Sequence, residues 1–266
     1  MNIFLREIMT YRKSALTWAG SLGAIALAFM AMYPAFSADV EGLYAVLENF
    51  PEAIRALVNI SAETFLSVLG FYGYLLGFAV LAAAIQAMNL GVGVISKEVT
   101  DKTADFLISK PVSRSRIVTA KLTAALSVIL FTNVVFVAIS YLAVSISTTE
   151  AFSSQALLLL ASTMLFVQLF FFALGALFSV TVPKIKSVIA VSLPTVFAFY
   201  IIGVIGDVLD NVEVRWLSPF RYFDPAYIIT NKSFETEYLL LTVVFVVAAL
   251  VATYVIFLKK DIRAAA

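Results

Sequence analysis

Six stretches of this chain each run for about twenty to thirty residues without an Asp, Glu, Lys or Arg. They cover approximately residues 14–36, 65–95, 122–145, 156–182, 187–206 and 238–258. An α-helix needs about 20 apolar residues to cross a hydrocarbon layer ~30 Å thick. Inside that layer every backbone N–H and C=O must be satisfied within the protein, which a helix does by itself. The expected fold is therefore an all-α polytopic membrane protein, with six transmembrane helices in a single domain over residues 1–266. At 62% hydrophobic and 13% charged residues, the composition agrees.

Orientation follows from where the basic residues lie. Arg6, Arg12 and Lys13, the loop after the second span, Lys184 and Lys186, and Lys259, Lys260 and Arg263 fall on one side of the membrane. Together they hold fourteen of the eighteen basic residues, leaving Arg55, Arg215, Arg221 and Lys232 across the membrane. Basic loops stay in the cytoplasm. Both termini are thus expected to be cytoplasmic.

Taken in order, the chain opens with an amphipathic segment, Asn2–Lys13. Phe4, Leu5, Ile8 and Tyr11 share one side and Asn2, Arg6, Thr10 and Lys13 the other. The expectation is an interfacial helix ahead of the first span; a plain basic tail is the alternative. The loop from Ser37 to Glu63 carries two apolar stripes, Leu43, Val46, Leu47 and Phe50, then Ile54, Leu57 and Val58 behind Pro51. The second span is too long for one straight crossing and must tilt, kink or project. Gly73 and Gly77 suit close helix packing on it, while Gly91 and Gly93 loosen its inner end. Pro194 is expected to kink the fifth span. Between residues 207 and 237, Trp216, Phe220, Tyr222, Phe223 and Tyr227 stand among charges and prolines, the pattern of an interfacial aromatic belt.

The most distinctive loop is Ser96–Lys121, SKEVTDKTADFLISKPVSRSRIVTAK. At 100° per residue, Val99, Thr103, Phe106 and Leu107 fall within an arc of roughly 100°. Lys97, Glu98, Asp101, Lys102 and Asp105 fill the opposite side. Pro111 stops that helix, and Ser113 can cap a second one leading into the third span. By pattern alone the segment is either a solvated loop held at lipid headgroups or a helix offering a charged face to another protein.

The order Glu98, Thr103, Leu107, Pro111, Ser113, Arg114, Lys121 resembles the loop between the second and third membrane helices of ABC-2-type transporter permeases. There an acidic residue, Thr, Leu, Pro-x-Ser-Arg and Lys follow at these spacings. In that family the segment is the coupling helix, which docks on a separate ATPase subunit. The resemblance implies a cytoplasmic coupling helix at 97–108, with Lys97, Glu98, Asp101, Lys102, Thr103, Asp105, Phe106 and Leu107 meeting the ATPase. It implies that Pro111, Arg114 and Lys121 fix the loop against the next span. It also implies a second permease chain, identical or not, in the membrane of a prokaryotic cell. ATP and Mg would sit on the partner subunits, and the second and fifth spans would line a pathway for a hydrophobic or amphipathic substrate. A short outer helical element is implied between the fifth and sixth spans. Nucleic acid is not among the implied partners.

Absences sharpen this reading. No glycine precedes a lysine, so there is no P-loop. The chain has no histidine and no cysteine, which removes the commonest general base and all thiolate chemistry. The chain is therefore not expected to be an enzyme, to hold a metal, or to have catalytic residues of its own. Uncharged spans argue against an ion-coupled carrier. Polar amide side chains stand at membrane depth: Gln86, Asn89, Asn133 and Gln168. Interhelical hydrogen bonding is the default use of each. A substrate pathway is the other use, with Gln86, Asn89 and Tyr200 as its candidates. The rival to the permease reading is a membrane scaffold or regulatory subunit whose basic loop holds a cytoplasmic partner.

Overall fold

The computed structural model describes residues 3–38, 49, 67–100, 113–182, 185–209 and 212–259. These form helices and connecting turns, with no strand among them. Six helical stretches are long and apolar enough to span a membrane: Ile3–Ser37, Val68–Ser96, Arg114–Ser147, Ser154–Thr181, Val188–Val208 and Thr236–Lys259. The loops at 39–48 and 50–66, with their two expected apolar stripes, lie outside the described residues, as do 101–112.

Helix α1, Ile3–Met30, is unbroken, and a turn leads into the short α2, Tyr33–Ser37. The expected interfacial helix is thus not a separate element. Nothing near Lys13–Ser14 breaks a helix, and Tyr11, Ala15, Ala19, Leu22, Gly23, Ala26 and Met30 continue one buried stripe across that junction. Ala15, Ala19 and Gly23 are spaced four apart and thin this face, so α1 lies close against α4, with Gly23 against Ile139.

Helix α3, Val68–Thr100, is the centre of the bundle and packs most extensively on α5, Ser154–Thr181. Its span is buried on nearly every side, as a helix apolar all round should be. At 1.5 Å per residue its 33 residues reach about 50 Å, and that excess length is carried by one unbroken helix. The glycines divide. Gly73 does admit a close approach, since a Cβ there would stand 2.9 Å from Pro225, whereas Gly77 faces open space and Gly91 meets Gly175 of α5 backbone to backbone. A Cβ on Gly175 would stand 2.8 Å from both the Met88 carbonyl oxygen and the Val92 nitrogen. The pair that lets two helices touch thus comes from different spans, which no i,i+4 pattern within one span can show.

Helix α4, Arg114–Ser147, begins eight residues before the expected third span, and Ser113 caps it by accepting from the Arg116 N–H at 3.4 Å. Ser153 and Ser187 cap α5 and α6, Val188–Val208, in the same way. Helix α6 continues through Pro194, whose side is exposed. Helix α9, Thr236–Lys259, packs on α5. Both α6 and α9 leave broad apolar faces outward.

Between α6 and α9 lie α7, Val212–Arg215, a 3₁₀ turn, Pro219–Arg221, and α8, Pro225–Asn231, capped by Asp224. This is the short helical element that the resemblance implies. Its aromatic residues do not form a lipid-facing belt. Tyr222 and Phe223 are buried, and only Trp216 stays largely exposed. Phe166 of α5 stacks on Phe223 at 5.3 Å, and Phe220 meets Phe171 at 5.2 Å. The rings turn inward because the phenylalanines of α5 offer more apolar contact than a lipid interface does.

Candidate functional site

Three groups of residues stand out. The first lies at membrane depth where α3, α4 and α5 meet. Asn133 Nδ2 donates to Gln168 Oε1. Gln168 Nε2 donates to Gln86 Oε1 at 3.0 Å and to the Ala83 carbonyl at 3.3 Å. Gln86 Nε2 donates to Thr132 Oγ1 at 3.1 Å, and Thr132 donates to the Val128 carbonyl at 2.9 Å. All four side chains are buried. A donor chain of this kind joins three helices where no water competes, and it leaves the buried Asn133 Oδ1 without a hydrogen-bond partner among the described residues. Gln86 is therefore engaged inside the chain. Asn89, one turn further along α3, is half-buried, and its Oδ1 has no hydrogen-bond partner among the described residues. Tyr200 of α6 is half-buried, edge-on to Phe220 at 5.6 Å.

The second group is the cap between α6 and α9. Arg215 is its hub. Its guanidinium forks onto the Glu235 carboxylate, donates to the Arg221 carbonyl at 2.8 Å, and lies 4.1 Å over the Tyr238 ring. A planar five-donor group suits this role, because it can bridge a carboxylate and backbone at once. Arg221 pairs with Asp207 at the end of α6. Burial lowers the Arg221 pKa, opposed by Asp224 and Tyr200. Burial, with Tyr238 beside it, raises the Tyr222 phenol to about 12, and the hydroxyl donates to the Trp216 carbonyl at 2.7 Å. Gly203 and Gly206 admit this cap. A Cβ on the first would meet Ser218, whose hydroxyl donates to the Phe199 carbonyl at 2.8 Å, and one on the second would meet Val214.

The third group is at the opposite end of the bundle, around the loop singled out above. Lys97 and Glu98 belong to the last turn of α3. Asp101, Lys102, Thr103, Asp105, Phe106, Leu107 and Pro111 lie outside the described residues. Arg114 opens α4 and is half-buried. Lys121, two turns into α4, is 5% exposed and places Nζ 3.0 Å from Glu7 Oε1 of α1. An ionisable residue thus sits buried in the helix that carries the third span, one residue before its uncharged run begins. It is tolerated because Glu7 supplies the opposite charge.

A family model described as "ABC-2 family transporter protein" matches residues 1–262. The chain belongs to this family. It is a multi-pass membrane protein and the permease component of an ABC transporter, not the nucleotide-binding one. Permeases of this family generally pair with ABC ATPase subunits. A search of curated proteins finds no match to this permease. Sequence reasoning passed over Glu7, Arg215 and Glu235, whose roles depend on partners 20 to 114 residues away.

Proposed function

We propose that the permease is one of two membrane chains of an ATP-driven exporter in a prokaryotic cell membrane, with both termini cytoplasmic, and that separate ATPase subunits bind Mg-ATP and act on it through the 97–108 segment. The observation that carries this is the continuity of α3. One helix forms the centre of the bundle, ends at Thr100, and so holds Lys97 and Glu98 on the same rod as Gln86 and Asn89. A displacement applied at its end moves residues in the middle of the membrane without needing a hinge. Arg114 and Lys121 anchor the far end of the loop in α4. The translocation pathway runs between α3 and α6, which are in contact. Asn89 and Tyr200, still partly exposed, face it, and Gln86 acts on it through its hydrogen-bonded neighbours. The uncharged helix faces suit a hydrophobic or amphipathic substrate.

The test is isolation of the complex from its native membrane. The expected result is a co-purifying ABC ATPase whose binding is lost when Glu98 and Asp101 are both changed to lysine, at a cost on the order of 2–5 kcal/mol if each is paired. Thr103→Pro should act similarly, by breaking the segment's helix. Stable association with a non-ATPase partner alone would favour the scaffold reading and end this one.

A further inference from the structure

The contact between α1 and α4 is of two kinds. Over most of its length it is apolar, made by Ala15, Ala19 and Gly23, with the Ile139 side chain of α4 seated against Gly23. At the end near the loop it is pinned by a buried ion pair, Glu7 with Lys121. The apolar part holds by close packing, which is not directional. The ion pair is directional, and separating the two charges strands both in a poorly solvated place. Lys121 lies on the helix into which the loop feeds, only two turns from its start.

We infer that Glu7 is a positioning residue for the start of α4: by holding Lys121 it fixes the first turns of α4 against α1 and carries displacement of α4 into α1. The coupling half of this statement rests on the function proposed above; the pinning half does not. In this arrangement α1 does not stand by while α3 and α4 are driven. Its first two turns move with the start of α4, and the rest of the continuous helix follows.

Two measurements test it. In the permease alone, in lipid nanodiscs, spin labels on cysteines introduced at the exposed positions Thr10 and Thr119 report the α1–α4 distance. Glu7→Gln should broaden the distribution, and the exchanged pair Glu7→Lys with Lys121→Glu should restore it. An unchanged distribution in Glu7→Gln overturns the pinning. In the complex with its ATPase, Glu7→Gln should keep the ATPase bound but lower substrate moved per ATP by about tenfold, with recovery in the exchanged pair. Normal transport per ATP in Glu7→Gln, with the ATPase bound, overturns the coupling role and leaves the exporter reading intact. Equal loss of assembly in Glu7→Gln and in the exchanged pair overturns it too, since that marks a structural residue only. Failure of the wild-type chain to recover any ATPase overturns the exporter reading, and the coupling role with it.

Discussion

Changing Gly175 to alanine adds one methyl group where α5 lies against α3. That carbon would stand 2.8 Å from two backbone atoms of α3, while ordinary contact begins at 3.4 Å. The helices must part by about 0.6 Å. Neither obstacle is a side chain that can swing aside. A gap of that order forfeits roughly a quarter or more of the dispersion attraction along the contact. Overpacking costs about 1–3 kcal/mol, and backbone obstruction places this case near the top of that range. Alanine returns about 1 kcal/mol through its better helix propensity. The net expectation is a loss of about 2 kcal/mol. Gly77→Ala and Gly20→Ala make the same chemical change on helices where nothing lies within 4 Å. They should be neutral or gain up to about 1 kcal/mol. Thermal unfolding of the purified permease in detergent measures the contrast, and about 2 kcal/mol corresponds to a melting temperature lower by roughly 4–8 °C. A Gly175→Ala protein as stable as Gly77→Ala would refute the close α3–α5 approach.

Three further outcomes are expected. Gln168→Leu should destabilise the permease by about 1–2 kcal/mol in the same assay, and combining it with Gln86→Leu should cost less than the sum, because the two share one hydrogen bond. Tyr222 has its phenol raised from 10.0 to about 12 in the fold, so the protonated form is favoured there. Its stabilising effect is complete below pH 10 and declines between pH 10 and about 12, where the unfolded chain ionises first. The stability advantage of wild type over Tyr222→Phe should therefore be flat below pH 10 and shrink above it. Single cysteines replacing Lys102, Lys184 or Lys260 should label from the cytoplasm, and those replacing Asp39, Glu150 or Glu213 from outside. The absence of native cysteine keeps that experiment clean, and external labelling at position 102 would reverse the orientation.

The amino-acid sequence determined the fold class, the number of spans and the family. These follow from local quantities: the length of apolar runs and an ordered string of residues within one loop. Ser113 as the cap of α4 belongs with them, since a cap and the amide it serves are three residues apart. Only the tertiary structure decided which residues hold the bundle together. Gly91 meets Gly175, Gln86 meets Gln168, Glu7 meets Lys121, and Arg215 meets Glu235. Each pairing joins two helices, or a helix and the cap, that their own periodicities leave independent. The aromatic residues of the cap make the same point: their composition suits a lipid interface equally well, and the neighbouring phenylalanines of α5 turn them inward. A helix's own sequence states which of its faces is apolar or small. Which other helix covers that face depends on how all six pack, because lipid tails are as apolar as the partner helix and do not distinguish it.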